Sequence, residues 1–124
     1  MKILVVDDET DIQALFEQRF RKEIRHRVVE FEFAFSGEEA LKYLDDHQHE
    51  AVLILSDINM PGMSGLELLS RIKKKKIDPP PVVMMITAYG DTENYNTAKE
   101  LGADEFLTKP VDFTLLKQKL NIHT

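Results

Sequence analysis

The sequence predicts an α/β domain with a doubly wound, five-stranded parallel sheet in the order 2-1-3-4-5, flanked by five helices. Short runs of Val, Leu, Ile and Phe alternate five times with stretches of helical periodicity, which is the pattern of a parallel sheet. The first and third runs, residues 3–6 and 51–55, are apolar throughout, as central strands buried on both faces must be. The second run, residues 29–35, alternates apolar and polar residues and therefore fits an edge.

Composition limits the classes of protein to consider. With 124 residues, 43% of them hydrophobic, the chain has the size and the apolar content of a single domain, residues 1–124. A net charge of −6 argues against a nucleic-acid binder, and the absence of cysteine excludes disulfides, thiol catalysis and thiolate metal sites. The first apolar run is too short for a signal peptide or a membrane span, so we expect a cytoplasmic domain without membrane contact.

In the first half of the chain, strand 2–6 leads directly into Asp7 and Asp8. Apolar residues at three- and four-residue spacing then predict one helix over residues 11–24, capped by Thr10 or Asp11, with a buried stripe of Ile12, Leu15, Phe16, Phe20 and Ile24. The edge strand follows. A capping box of Ser36 and Glu39 opens a short second helix, whose apolar residues are Ala40, Leu41 and Leu44.

In the second half, strand 51–55 leads to Asp57, and a second capping box, Ser64 with Glu67, predicts a helix over residues 65–75. Prolines 79–81 end that helix, and strand 82–86 is followed by Thr87. A weakly apolar helix over residues 92–101 stops at Gly102, and strand 105–107 presents Lys109. Asp112 caps the last helix, which carries Leu115, Leu116 and Leu120.

The informative feature is the set of polar residues that follow the strands: Asp7, Asp8, Asp57, Thr87 and Lys109. In a parallel sheet these ends share one edge, so residues distant in sequence can form one pocket. Three carboxylates in a small site repel one another unless a cation intervenes. An oxygen-only cluster without His or Cys suits Mg²⁺, with Mn²⁺ as a substitute.

Such a site has a definite chemistry. A carboxylate beside a divalent ion, an ammonium and a hydroxyl can attack phosphorus and form an acyl phosphate. Lys109 would offset the charge on the phosphoryl oxygens, and Thr87 would donate to one of them. A single Asp after a strand is usually a helix cap, and a single Thr a turn residue, so the prediction depends on their joint occurrence.

These residues resemble the receiver domain of two-component response regulators, the CheY-like family. The resemblance extends from Ile3 to about Leu120 and is carried by the acidic pair Asp7-Asp8, the SDINMPGMSG loop around Asp57, Thr87-Ala88, Phe106 and Lys109-Pro110. Five separated motifs in the right order make it specific.

The resemblance implies that Asp57 is the phosphoacceptor and that Asp8 and Asp57 bind Mg²⁺ directly. The backbone carbonyl of Asn59 would be a third protein ligand, and Asp7 would act largely through water. Lys109 would pair with the phosphoryl group, and the peptide bond between Lys109 and Pro110 would be cis.

It also implies a switch. Thr87 would move toward the phosphoryl oxygen and Phe106 would turn inward behind it, reshaping the face of the fourth helix, fifth strand and fifth helix where effectors dock. Phe106 stands where Tyr is also common, so without a hydroxyl it can signal only by burial of its ring. Asn59 and Tyr89 would flank the path of the water that removes the phosphoryl group.

The implied partners are a sensor histidine kinase or phosphotransfer protein as donor and an effector protein or domain as target. The domain would be a monomer or a phosphorylation-dependent homodimer, with no enzymatic activity except its own phosphorylation and slow dephosphorylation. It could act alone or be the receiver of a larger regulator with a DNA-binding or enzymatic output, which only residues beyond Thr124 would decide.

Two readings from other classes compete. A Mg²⁺-dependent aspartyl phosphatase would need a general acid two residues after Asp57, where Asn59 stands instead. A nucleotide- or flavin-binding module would have to bind a phosphate group beside three acidic side chains, which would repel it unless a metal bound first. We also expect an irregular sheet edge in the charge-rich segment 22–35, a short last helix, and histidines 26, 47, 49 and 123 as solvated surface residues rather than metal ligands.

Overall fold

Five parallel strands form the central sheet of the protein, and the computed structural model describes residues 1–48, 50 and 52–122. The order is β2-β1-β3-β4-β5, which confirms the predicted topology. The strands are β1 (Lys2–Val6), β2 (Glu30–Ala34), β3 (Val52–Asp57), β4 (Val82–Thr87) and β5 (Glu105–Thr108). Ala51, the first residue of the predicted third strand, lies outside the described residues.

The described residues form six helices, and the prediction of five was wrong. They are α1 (Asp11–Arg19), α2 (Arg21–Arg25), α3 (Gly37–Asp46), α4 (Gly65–Lys74), α5 (Thr92–Glu100) and α6 (Phe113–Lys119). The predicted first helix is divided at Phe20, whose φ of −109° and ψ of 19° leave the helical region. Periodicity could not reveal this break, because a single irregular residue preserves the four-residue spacing of Phe16, Phe20 and Ile24.

The helices cover both faces of the sheet, which explains why the central strands are apolar on both sides. One core cluster lies under α3, α4 and α5 and contains Leu4, Ile54, Leu69 and Met85. The other lies under α1, α2 and α6 and contains Phe16, Phe20, Leu55 and Leu116. Two residues assigned to buried stripes, Leu15 and Leu115, are exposed instead.

Strand β2 forms one edge of the sheet, as its alternating sequence predicted, with Glu30 and Glu32 exposed. The expected irregularity is absent from this strand, because all five residues pair with β1 in an unbroken register. The charged residues that precede β2 lie in α2 and in a turn in which Arg27 has a φ of 58°.

Four helices begin with a side-chain cap. Ser36, Ser64, Asp91 and Asp112 accept hydrogen bonds from the backbone N–H three residues ahead, which confirms the caps predicted at Ser36, Ser64 and Asp112. The return bond of a capping box is not formed as predicted, because Glu39 accepts from the Phe35 N–H and Glu67 pairs with Arg71. Thr10 makes no such bond, so the cap predicted for α1 is wrong. Its own backbone is already helical, with φ −66° and ψ −22°, whereas a capping residue is extended. None of the described helices is long and apolar enough to cross a membrane.

Candidate functional site

The carboxyl ends of four strands supply the polar residues of the candidate site. Asp7 follows β1, Asp57 and Thr87 are the last residues of β3 and β4, and Lys109 follows β5. The Lys109 N–H donates to the Thr87 carbonyl over 2.8 Å, which continues the sheet ladder up to the site. One carboxylate oxygen from each of Asp7, Asp8 and Asp57 lies within 4.8 Å of the others. The parallel sheet therefore brings these residues together.

Asp57 is the most enclosed carboxylate of the cluster, with 2% of its surface exposed. Its Oδ2 accepts a hydrogen bond of 2.8 Å from Lys109 Nζ. Its Oδ1 accepts a longer one, 3.4 Å, from the backbone N–H of Asn59. Since a buried charge without a partner is costly, the ammonium of Lys109 is the group that makes this position tolerable for a carboxylate.

The electrostatics of the site indicate a deficit of positive charge. Burial raises the pKa of Asp7 above its ordinary value, and the charge of Asp57 adds to the rise. The hydrogen bond that Asp7 accepts from the Glu9 N–H lowers this pKa but does not cancel the rise. Burial alone would lower the pKa of Lys109, but its hydrogen bond to Asp57 and the nearby acids outweigh burial and raise it. One lysine therefore faces three carboxylates, and a further cation would relieve their repulsion.

The donor set fits Mg²⁺. All three side chains offer carboxylate oxygens, which are the ligands that hard divalent ions prefer. Asp8 is exposed whereas Asp7 and Asp57 are buried, so the cluster opens to solvent on one side, as an ion that keeps several waters requires.

Two further residues of the predicted switch lie at the same end of the sheet. Thr87 is buried, and its hydroxyl donates over a long 3.4 Å to the Leu107 carbonyl of β5. The half-buried ring of Phe106 contacts the ring of Tyr95 on α5, with a centroid separation of 4.4 Å and a tilt of 46°. In this structure, therefore, the aromatic ring lies against α5.

The loops around Asp57 have two backbone features. The Lys109–Pro110 peptide bond is cis. Gly65, at the start of α4, donates to the Ile58 carbonyl over 2.8 Å, and a Cβ at Gly65 would overlap the carbonyl oxygen of Asp57. No sequence pattern predicts this close approach, because a contact between residues eight apart across a loop has no periodic signal. A second cis bond, Asp78–Pro79, precedes β4 at the opposite end of the sheet.

The remaining predicted residues lie at the surface. Asn59 is exposed, and Tyr89 is 88% exposed. His26 is exposed as expected, but His47 is half-buried, with its ring stacked on that of Tyr43 at 4.0 Å. His49 and His123 lie outside the described residues.

A groove of about 740 Å³ opens beside the site, between α1 and the start of α6. Asp7 and Lys109 are among its polar lining residues, and Ile12 and Phe113 are among its apolar ones. The groove therefore reaches one carboxylate of the cluster and the lysine that pairs with Asp57.

Comparison with known proteins gives consistent matches. Residues 3–121 match the response regulator receiver domain family. The chain is 38% identical over 111 residues to sporulation initiation phosphotransferase F of Bacillus subtilis, covering 90% of this chain and 83% of that protein. It also resembles the crystal structure of a response regulator receiver domain protein from Clostridium thermocellum, with a TM-score of 0.82, 32% identity and coverage of 97% and 90%.

The match to some relatives is only partial. A cyclic di-GMP phosphodiesterase of Thermotoga maritima is 37% identical over 120 residues, which are 97% of this chain but 30% of that protein. The chain therefore spans less than a third of that relative.

Proposed function

We propose, because the chain belongs to the family of response regulator receiver domains, that Asp57 is its phosphoacceptor and that phosphorylation of Asp57 is the input of a two-component signal. One observation carries the assignment. Among the three clustered acids, Asp57 is the one whose carboxylate accepts a hydrogen bond from the Lys109 ammonium, at 2.8 Å, while a carboxylate oxygen of each of Asp7 and Asp8 lies within 4.8 Å of one of its oxygens.

The reaction is a phosphoryl transfer between nucleophiles. A carboxylate oxygen of Asp57 forms the new P–O bond while the bond from phosphorus to the donor imidazole breaks, and the departing nitrogen keeps the electron pair. Lys109 then contacts the phosphoryl oxygens as well as Asp57 and offsets their charge. Asp7, Asp8, Asp57 and the Asn59 carbonyl would hold Mg²⁺, which when bound neutralises charge on the phosphoryl oxygens. Mn²⁺ would substitute for it.

The switch would use the residues on β4 and β5. The Thr87 hydroxyl, held only by a 3.4 Å bond to the Leu107 carbonyl, turns to the phosphoryl group. Phe106 leaves Tyr95 and fills the space behind Thr87, which changes the surface formed by α5, β5 and α6. About two added negative charges drive this rearrangement.

We place the donor, a histidine kinase or a phosphotransfer protein, in the groove between α1 and α6, and an effector protein or domain on the α5–β5–α6 surface. The groove supports this placement because Asp7 and Lys109 are among the residues that line it. Donors of this kind would meet the domain in the cytoplasm. The domain would act as a monomer or as a homodimer formed on phosphorylation, alone or joined to an output domain.

Phosphorylation can be tested with acetyl phosphate and Mg²⁺. We expect intact-protein mass spectrometry to show one added phosphoryl group, which does not form when Mg²⁺ is chelated before acetyl phosphate is added and is absent from Asp57→Ala. Asp46→Asn changes an exposed acid at the end of α3 and serves as the control that should behave as wild type. An equal mass gain in Asp57→Ala would refute the assignment.

The lifetime of the phosphoryl group tests the proposed water path. Tyr89 is exposed beyond the end of β4, so Tyr89→Ala should alter the access of water to the acyl phosphate. We expect the dephosphorylation rate to change several-fold while the free energy of unfolding stays within about 0.5 kcal/mol of wild type. An unchanged rate would remove Tyr89 from the path.

A further inference from the structure

Strand β5 is the outermost strand of the sheet on the proposed effector side. The N–H of Lys109 donates to Thr87 on β4, and backbone groups alternate in direction along a strand. The N–H of Phe106, three residues earlier, therefore points away from β4 to the open edge. It donates to the Glu105 carboxylate, over 3.1 Å to Oε1.

The same oxygen has a second partner. Lys119, the last residue of α6, places its Nζ 3.0 Å from Glu105 Oε1. A single carboxylate oxygen thus joins the backbone of Phe106 to the end of a helix that belongs to the same surface. The two contacts act together on the carboxylate, since the Phe106 N–H first and Lys119 second hold the pKa of Glu105 below its ordinary value.

Phe106 is therefore held at two points. Its N–H is bonded to Glu105, and its ring lies on Tyr95 of α5. Both helices on either side bury one residue, Ala98 of α5 and Leu116 of α6, and α6 is also joined to β5 by the Lys119–Glu105 pair. If the ring moves inward, it loses its contact with Tyr95. The hydrogen bond from the Phe106 N–H to Glu105 and the ion pair of Glu105 with Lys119 on α6 oppose any accompanying shift of the β5 backbone.

We propose that Glu105 is a latch that favours the outward position of Phe106 by binding its N–H and Lys119 with one carboxylate oxygen. This proposal rests on the proposed function, because it assumes that Phe106 turns inward when Asp57 is phosphorylated. Loosening the latch raises the population of the inward arrangement before phosphorylation. A ligand that binds the inward arrangement then binds more tightly, in proportion to that population.

Beryllofluoride, a stable mimic of the phosphoryl group, tests the latch in the presence of Mg²⁺. Glu105→Gln keeps an acceptor for the Phe106 N–H but removes the charge that pairs with Lys119. Because the pair is partly exposed and such pairs are weak, we expect Glu105→Gln to bind beryllofluoride about two- to five-fold more tightly than wild type by calorimetry. Lys119→Gln should have the same effect.

The double variant separates a shared contact from two independent ones. If Glu105 and Lys119 act through one interaction, the double variant should bind no more tightly than the tighter single variant. Glu100→Gln, an exposed acid at the end of α5, makes the same change of charge and should leave the affinity unchanged. NMR signals of the Phe106 ring should shift toward those of the beryllofluoride complex in free Glu105→Gln and not in Glu100→Gln.

The outcomes distinguish failure of the latch from failure of the proposed function. If wild type fails to bind beryllofluoride or to accept a phosphoryl group on Asp57, the proposed function fails. If wild type binds and Glu105→Gln binds equally or more weakly, the latch is overturned while the function stands. An effect of Glu100→Gln as large as that of Glu105→Gln would also overturn the latch, because the change would then report net charge.

Discussion

Asp7 is a single residue whose charge lowers the stability of the folded protein. It is buried, it lies near Asp57 and Asp8, and its pKa is raised above the ordinary value, first by burial and then by the charge of Asp57. A carboxylate with a raised pKa in the folded state destabilises the protein at neutral pH. Lys109, at 2.8 Å from Asp57, offsets only part of the repulsion.

Neutralising Asp7 should therefore stabilise the protein when no divalent ion is present. Asp7→Asn keeps an oxygen that can accept the Glu9 N–H, and we expect the free energy of unfolding in EDTA at pH 7 to rise by about 1 kcal/mol. Urea denaturation measures the change, and Asp46→Asn, an exposed acid, should change it little. A loss of stability in Asp7→Asn would show that the acids do not repel one another.

At the scale of secondary structure, the division of the predicted first helix has a consequence for the contact between α2 and α6. Glu23, on the five-residue helix α2, is only 2% exposed, and its Oε2 lies 2.9 Å from Lys117 Nζ on α6. Lys117 is therefore the cation that compensates this buried carboxylate. Lys117 also lies 5.1 Å from the Phe20 ring centroid.

The charge of Lys117 determines how this ion pair responds to pH. Burial raises the pKa of Glu23, but the contact with Lys117, helped by the backbone N–H of Glu23 and the charge of Lys22, outweighs burial and lowers the pKa below the ordinary value of 4.5. Because the folded-state pKa is lowered, the pair stabilises the protein fully above about pH 4.5. That stabilisation is lost as the pH falls through the folded-state pKa, when the carboxylate is protonated in the folded protein.

Glu23→Gln should consequently lower the free energy of unfolding at pH 7 by about 2 kcal/mol, since removing one member of a buried pair leaves the other charge without its partner. Urea denaturation at several pH values should show the difference from wild type shrinking below about pH 4.5. Glu17→Gln, at an exposed position of α1, should cost less than about 0.5 kcal/mol. A loss of the same size at pH 7 and pH 3 would contradict the assigned ion pair.

At the scale of the whole molecule, the candidate metal site links the two central strands β1 and β3, because Asp7 and Asp8 follow β1 and Asp57 ends β3. A ligand that binds only the folded arrangement stabilises the entire domain by mass action. At a concentration a hundred times its dissociation constant, the gain is about 2.7 kcal/mol, which corresponds to a rise in melting temperature on the order of 10 °C.

Mg²⁺ should therefore raise the melting temperature of the wild-type domain with increasing concentration. Asp8→Asn should remove most of that rise, because Asp8 contributes one of the three clustered carboxylates. Calorimetry at fixed ionic strength measures it, and sodium chloride serves as the control for screening. An equal rise in Asp8→Asn would place the ion elsewhere.

The fold and most of the site were predictable because both depend on patterns with a short period. Apolar runs identified all five strands, and turn and capping residues identified the starts of the four helices that have a side-chain cap. The cap predicted for α1 at Thr10 is not formed. The parallel order then implied that Asp7, Asp57 and Lys109 meet at one edge, as the structure shows.

The sequence by itself thus determined the five strands and the residues at their ends, through local periodicity and the geometry of parallel strands, and it favoured the strand order. The family resemblance came from the separated motifs around these residues. Only the tertiary structure decided the break at Phe20, the buried pair of Glu23 with Lys117, and the shared oxygen of Glu105. These features depend on how helices lie against the sheet and on contacts between distant residues. The free energies that select them arise only after the chain has packed.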